Sequence, residues 1–194
     1  MVVKTFQQAR HQLTLFKPKK KWYRRWVKRS AIALILRQTE AGLEALMIKR
    51  ADREGDPWSG HMAFPGGRGD PADNNNLQTA RRETWEEIGL DTDQFAAYLG
   101  RLSDVATFSL INPLHMVITP YVFMVEQVPE LNLNHEVAEV VWIPLSFIAN
   151  KDNRQSMQWQ FRNRVRNLPC YFFQQRRIWG LSLMMLDELV GVFR

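Results

Sequence analysis

The chain has 194 residues, of which 45% are apolar and 24% charged, a globular composition that excludes a wholly disordered protein. One cysteine, Cys170, excludes an intrachain disulfide, and no apolar run approaches the ~20 residues of a membrane span, so a cytoplasmic protein is expected. The net charge of +6 is lopsided: residues 1–30 carry ten Lys/Arg and no acid, and the other 164 residues sum to −4. The basicity is therefore a property of the first residues, read as an N-terminal arm over 1–29 ahead of a domain over 30–194.

Within the arm, KPKKKWYRRWVKR (Lys17–Arg29) alternates cations with Trp22, Tyr23 and Trp26. The pattern fits an amphipathic helix laid on the domain with the tryptophans as anchors, or a segment that binds nucleic acid or an anionic membrane. AIALIL, Ala31–Leu36, is too short for the core of a secretory signal. Ser30–Arg37 and Glu44–Arg50 read as strands joined by the turn QTEAGL. A loop over Ala51–Gly60 leads through FPGG into a helix of about a dozen residues ending at Ile88, with Gly89 as its left-handed cap. Strands are expected over Leu99–Phe108, Leu114–Glu126 and Val137–Ile143, a short helix in PLSFIA, one more strand-like stretch over Met157–Leu168, and an amphipathic helix over Trp179–Val192. Strands interleaved with a few helices indicate an α/β sandwich.

The stretch Phe64–Leu90, FPGGRGDPADNNNLQTARRETWEEIGL, holds the chemistry. On a helix, Glu83, Glu86 and Glu87 converge on one face, where like charges one turn apart are destabilising. A divalent, oxygen-preferring cation removes that cost, and so does neutralisation by arginine alone; spacing does not separate the two.

The stretch resembles the signature of the Nudix hydrolases. After Gly67 come five residues, Asp73, eight residues and then Arg82-Glu83-Thr84-Trp85-Glu86-Glu87-Ile88-Gly89-Leu90. The second half follows the family pattern with Thr84 at an apolar site; in the first half Asp73 replaces a glutamate and one residue is added. The resemblance implies a Nudix-type α/β/α sandwich around a mixed sheet with a catalytic loop–helix–loop. It also implies Mg²⁺ or Mn²⁺ on Glu83, Glu86, Glu87 and the Gly67 carbonyl, Arg82 orienting a glutamate, and hydrolysis of a diphosphate linked to a nucleoside. Asp73 is expected to organise the loop through an Asx turn.

Ser59-Gly60 with three residues before FPGG, the strand end LMIKRA, and RIWGLS (Arg177–Ser182) resemble the coenzyme A pyrophosphatase-like branch. That branch expects an arginine where REGDP places Asp56, with Arg53 displaced. Coenzyme A or a related nucleotide is the implied substrate; RNA-end or cap hydrolysis, an oxidised nucleotide, and a silent binding module remain alternatives, and the family's frequent dimers leave a homodimer open. Substrate-side candidates are Arg50, Trp58, Arg177 and Trp179, with Lys49, Arg53 and a second basic group (Arg162, Arg164, Arg166, Arg176) beside them. Glu136 and Glu139 are the general-base candidates outside the helix; Glu83 or Glu87 could serve instead. His61 is read as a hydrogen-bonding residue, and His115, His135 and Cys170 lack zinc spacing.

Overall fold

The computed structural model describes residues 3, 5–107, 116–161 and 164–194. His115 and Arg162, and the side chain of Arg164, lie outside the described residues.

Strand β1 (Lys28–Thr39) organises the molecule. It pairs antiparallel with β2 (Gly42–Arg50) on one edge and parallel with β7 (Met116–Val125) on the other. The mixed sheet runs β3 (Met62–Ala63)–β2–β1–β7–β5 (Ala96–Arg101). In addition, β4 (Gly66–Arg68) pairs with β1, β6 (Val105–Thr107) with β7, and β8 (Val137–Pro144) with β2.

The run SAIALIL gives β1 an apolar residue on both faces, as a strand covered on both sides requires. Ile32, Leu34 and Leu36 enter one core, and Ala31, Ala33 and Ile35 the other. The first core is closed by α1 (Phe6–Leu15), α4 (Leu145–Ala149) and α5 (Gly180–Val192) through residues such as Leu13, Ile148 and Leu186. The second is closed by α2 (Asn76–Ile88) through Ala80 and Ile88. This is the expected α/β/α sandwich. A short helix, α3 (Thr92–Phe95), leads into β5. A separate antiparallel sheet is formed by β9 (Gln155–Phe161), β10 (Arg164–Phe173) and β11 (Arg176–Trp179). Among the described residues, no helix is long and apolar enough to cross a membrane.

Several expectations change. The arm's helix is α1, upstream of Lys17–Arg29: Thr5 and Gln8 form a capping box that starts it, and Pro18 opposes helix in the basic stretch. The tryptophans expected to anchor that stretch are exposed, Trp22 by 79% and Trp26 by 62%. The strand expected over Leu99–Phe108 is, over its described residues 99–107, divided between β5 and β6 by Leu102–Asp104, because Asp104 turns inward to take up Arg24, Arg101 and Thr119; Phe108 lies outside the described residues. Met157–Leu168 is divided between β9 and β10, whose antiparallel register sets Val165 opposite Gln160.

Candidate active site

The loop between β4 and α2 is fixed from both ends. Gly66 has φ +147, and a Cβ there would strike the Ala31 carbonyl oxygen, so only glycine lets β4 lie on β1. The Ser30 hydroxyl donates to the Gly67 carbonyl and the Gly69 amide donates to the Arg29 carbonyl, tying the loop to the first residues of β1. At the other end the Asn75 side chain caps α2 by accepting from the Gln78 amide at 3.0 Å, and Gly89, with φ 68, closes the helix as expected.

Arg82 lies at the centre of the acidic cluster. Its Nε donates to Asp73 Oδ1 at 3.1 Å, its Nη2 to Asp73 Oδ2 at 3.1 Å, to Glu83 at 2.9 Å and to the Arg68 carbonyl at 3.1 Å, and its Nη1 to Glu86 at 3.0 Å. One guanidinium thus compensates three carboxylates and pins the loop. Asp73 organises that loop, though by accepting from Arg82, the Thr79 hydroxyl and the Asp70 amide in place of an Asx turn ahead of it. The Arg82 hydrogen bond holds the Asp73 carboxyl down at about 2.

Glu87 has a different environment. It is 4% exposed, and among the described residues its Oε2 accepts one hydrogen bond, from the Gly66 amide at 2.9 Å. Burial pushes its carboxyl up to about 7; the nearby Glu83 and Glu136 carboxylates add to the rise and Arg50 opposes it. Burial likewise raises Glu83, against the pull of Arg82. The Glu83 carboxylate lies where a Cβ on Gly67 would sit. Among the described residues no three carboxylate, imidazole or thiolate groups form a closed ion cage; Arg82 holds Glu83 and Glu86, while Glu87 turns to Gly66.

The remaining candidates fall into two groups. Glu136 lies at the end of the loop before β8, where the Asn132 and Asn134 amides donate to the carbonyls of Ile88 and Glu87, and the Ala51 amide donates to the Glu136 carbonyl. It shares a cleft with Arg50, Arg53, Asp56 and His135. Arg50, the last residue of β2, binds Asp56 at 2.8 Å, and its buried Nε has no hydrogen-bond partner among the described residues. Arg53 reaches Glu136 only at 3.8 Å from an exposed position.

The second group lies where β3 meets β11. Trp58, His61 and Trp179 stack edge to face, with centroids 5.5 and 5.3 Å apart, and the Arg177 guanidinium lies 5.6 Å from the Trp179 ring. Lys49, His61, Phe172, Arg176, Arg177 and Trp179 line a cavity of about 410 Å³. Glu139, by contrast, is taken up by a bidentate pair with Arg176, which keeps its carboxyl below the usual range. His61, read as a hydrogen-bonding residue, stacks instead between the two tryptophans, and the brace of Asp73 on Arg82 is the placement that sequence reasoning missed. The only signals were the Trp58-x-x-His61 spacing and an acid at the family's first carboxylate position.

A three-layer α/β/α molecule with an arginine-centred acidic helix behind a glycine-rich strand is the architecture of a Nudix hydrolase domain. The chain belongs to that family: the NUDIX domain model matches residues 27–162. It is 38% identical over 104 residues to an uncharacterized protein of Schizosaccharomyces pombe, covering 52% of this chain and 32% of that one. It is 30% identical over 132 residues to the uncharacterized Nudix hydrolase NudL of Photorhabdus laumondii, covering 68% and 67%. With a human mitochondrial coenzyme A diphosphatase it shares 29% over 163 residues, covering 81% and 66%. The chain thus spans about a third of the yeast protein and about two thirds of the other two. A Nudix hydrolase structure from Alicyclobacillus acidocaldarius superposes with TM-score 0.52 at 16% identity, covering 85% of this chain and 91% of that one, a likeness of fold alone.

Proposed function

We propose that the chain is a divalent-metal-dependent pyrophosphohydrolase that cuts the diphosphate linkage of a nucleoside diphosphate derivative, with coenzyme A or a related nucleotide as substrate. The observation that carries this reading is Glu87, a buried carboxylate answered among the described residues by a single amide, beside a second desolvated carboxylate, Glu83. A buried anion with so few partners is costly unless a cation completes its surroundings. An all-oxygen donor set of Glu83, Glu86, Glu87 and the Gly67 carbonyl suits a hard divalent cation such as Mg²⁺ or Mn²⁺.

When bound, such a cation neutralises charge on the diphosphate oxygens and lowers the pKa of a ligated water. The chain's own residues do the rest. Arg82 fixes the rotamers of Glu83 and Glu86, so the donors are arranged before substrate arrives. Arg50, whose Nη2 is held by Asp56 and whose buried Nε has no hydrogen-bond partner among the described residues, turns its guanidinium to a phosphoryl oxygen by exchanging the Asp56 contact. Glu136, close enough to Glu87 to raise its pKa and not locked in a bidentate pair, takes the proton of the attacking water. Trp58, His61, Trp179 and Arg177 offer flat rings and a cation for the base and remaining phosphate of the nucleotide.

The human relative acts on coenzyme A, which favours that substrate over an RNA end or an oxidised nucleotide. A hydrolysis screen with Mg²⁺ and Mn²⁺ across coenzyme A, dinucleotides, nucleotide sugars, oxidised triphosphates and capped RNA, read by product mass, tests the proposal. Metal-dependent release of a nucleoside monophosphate-type product from coenzyme A supports it; cleavage of none of these diphosphates overturns it.

A further inference from the structure

The stretch between α1 and β1 is not used by the site, yet it is built into the molecule. The Lys19 amide donates to the Ser103 hydroxyl at 2.9 Å, the Asp104 amide to the Lys19 carbonyl at 2.9 Å, and the Lys21 amide to the Asp104 carboxylate at 2.9 Å. Arg24 adds an ion pair to the same carboxylate at 3.4 Å. Asp104, whose side chain is fully buried, therefore holds the segment from below and leaves its outer face free. The exposed residues of that segment are Lys17, Lys19, Lys20 and Arg25 beside Trp22 and Trp26, with Leu15 at the end of α1 exposed by 62% and Lys28 and Arg29 following at the start of β1.

We propose that this face is a docking surface for an anionic lipid bilayer. Two observations favour lipid over single-stranded nucleic acid. Trp22 packs edge to face on both Tyr23 and Trp26, each at 5.6 Å, so the rings form one apolar knob and not a row of separated stacking platforms. One of the two faces of Trp26 is already covered by the Arg25 guanidinium at 4.3 Å, which reduces the ring surface open to a base. A tryptophan knob ringed by cations matches the bilayer interface, where indole rings settle at headgroup depth and Lys/Arg meet anionic headgroups. The charge distribution gives the contact a direction: residues 1–30 carry +10, and the remainder, at −4, is repelled by the same membrane. Because Asp104 fixes the backbone beforehand, little ordering entropy opposes binding.

Flotation of the full chain with phosphatidylcholine vesicles, with and without phosphatidylserine, tests the surface. The expected result is binding at least about tenfold tighter with phosphatidylserine, weakening as salt rises. Lys20→Glu combined with Arg25→Glu, and separately Trp22→Ala combined with Trp26→Ala, each reduce it about tenfold or more, with melting temperature and hydrolysis unchanged. Equal binding to neutral vesicles, binding retained in both double variants, or displacement from the vesicles by single-stranded RNA held more tightly overturns the proposal.

Discussion

Arg82 grips both oxygens of Asp73 across nine positions of sequence, Nε to Oδ1 and Nη2 to Oδ2 at 3.1 Å each, so the acidic helix is braced by an acid outside it. The pair has a pH signature. The Asp73 carboxyl sits at about 2 in the folded chain against 3.8 unperturbed. A depressed carboxyl stabilises above its unfolded pKa and loses that contribution as pH falls through the folded one, here between about 4 and 2, for a total of about 2 kcal/mol. Asp73→Asn is therefore expected to lower the melting temperature at pH 7 and to flatten its dependence on pH below 4. Parallel wild-type and variant curves across that range would remove Asp73 from this role.

Glu87→Gln separates stability from chemistry. Replacing a desolvated carboxylate by an isosteric amide is expected to raise the stability of the metal-free protein by about 1–3 kcal/mol at pH 8 while abolishing turnover. Calorimetry with and without Mn²⁺ supplies a second readout, since a ligand that binds only the folded state raises its melting temperature. The wild type should gain stability from the ion and the variant should not.

Gly66 and Gly67 are adjacent and should fail differently. A methyl group on Gly66 meets the β1 backbone, which cannot move without opening the sheet; on Gly67 it meets only the Glu83 carboxylate. Gly66→Ala is expected to yield little folded protein. Gly67→Ala should fold, melt near the wild type and lose activity because Glu83 is displaced. Circular dichroism and hydrolysis of the same preparations check both.

The two downstream glutamates should also diverge. Glu136→Gln is expected to lower kcat by about 10²–10⁴-fold, the usual contribution of a general base, with KM little changed. Glu139→Gln, which loses only the pair with Arg176, should leave kcat near the wild type. A reversed order would move the base to β8.

Much of this was legible in the sequence because local chemistry and tertiary role coincide. The unbroken apolar run of SAIALIL, the FPGG lead-in and the Gly89 stop define β1 and α2 with little help from the rest of the chain. The acidic face of α2 was equally plain. Its partner Asp73 was visible as a residue but not as the brace of Arg82, because their meeting depends on how the loop folds back from β4. The arm was misread for a related reason. Its cations and tryptophans have helical spacing, but Ser103 and Asp104, more than 80 positions away, claim its backbone amides. The division of Met157–Leu168 into β9 and β10 is a pairing of the stretch with itself, Val165 opposite Gln160, which the alternation of one segment does not reveal.

The central position of β1 has a bearing on motion. It is hydrogen-bonded along both edges, feeds alternate side chains into both cores, and carries β4, whose loop leads to the acidic helix. Its amides cannot meet solvent until both layers separate, so they should be among the slowest to exchange for deuterium and should report the global unfolding free energy. The glutamates are thus seated beside the part of the molecule that opens last.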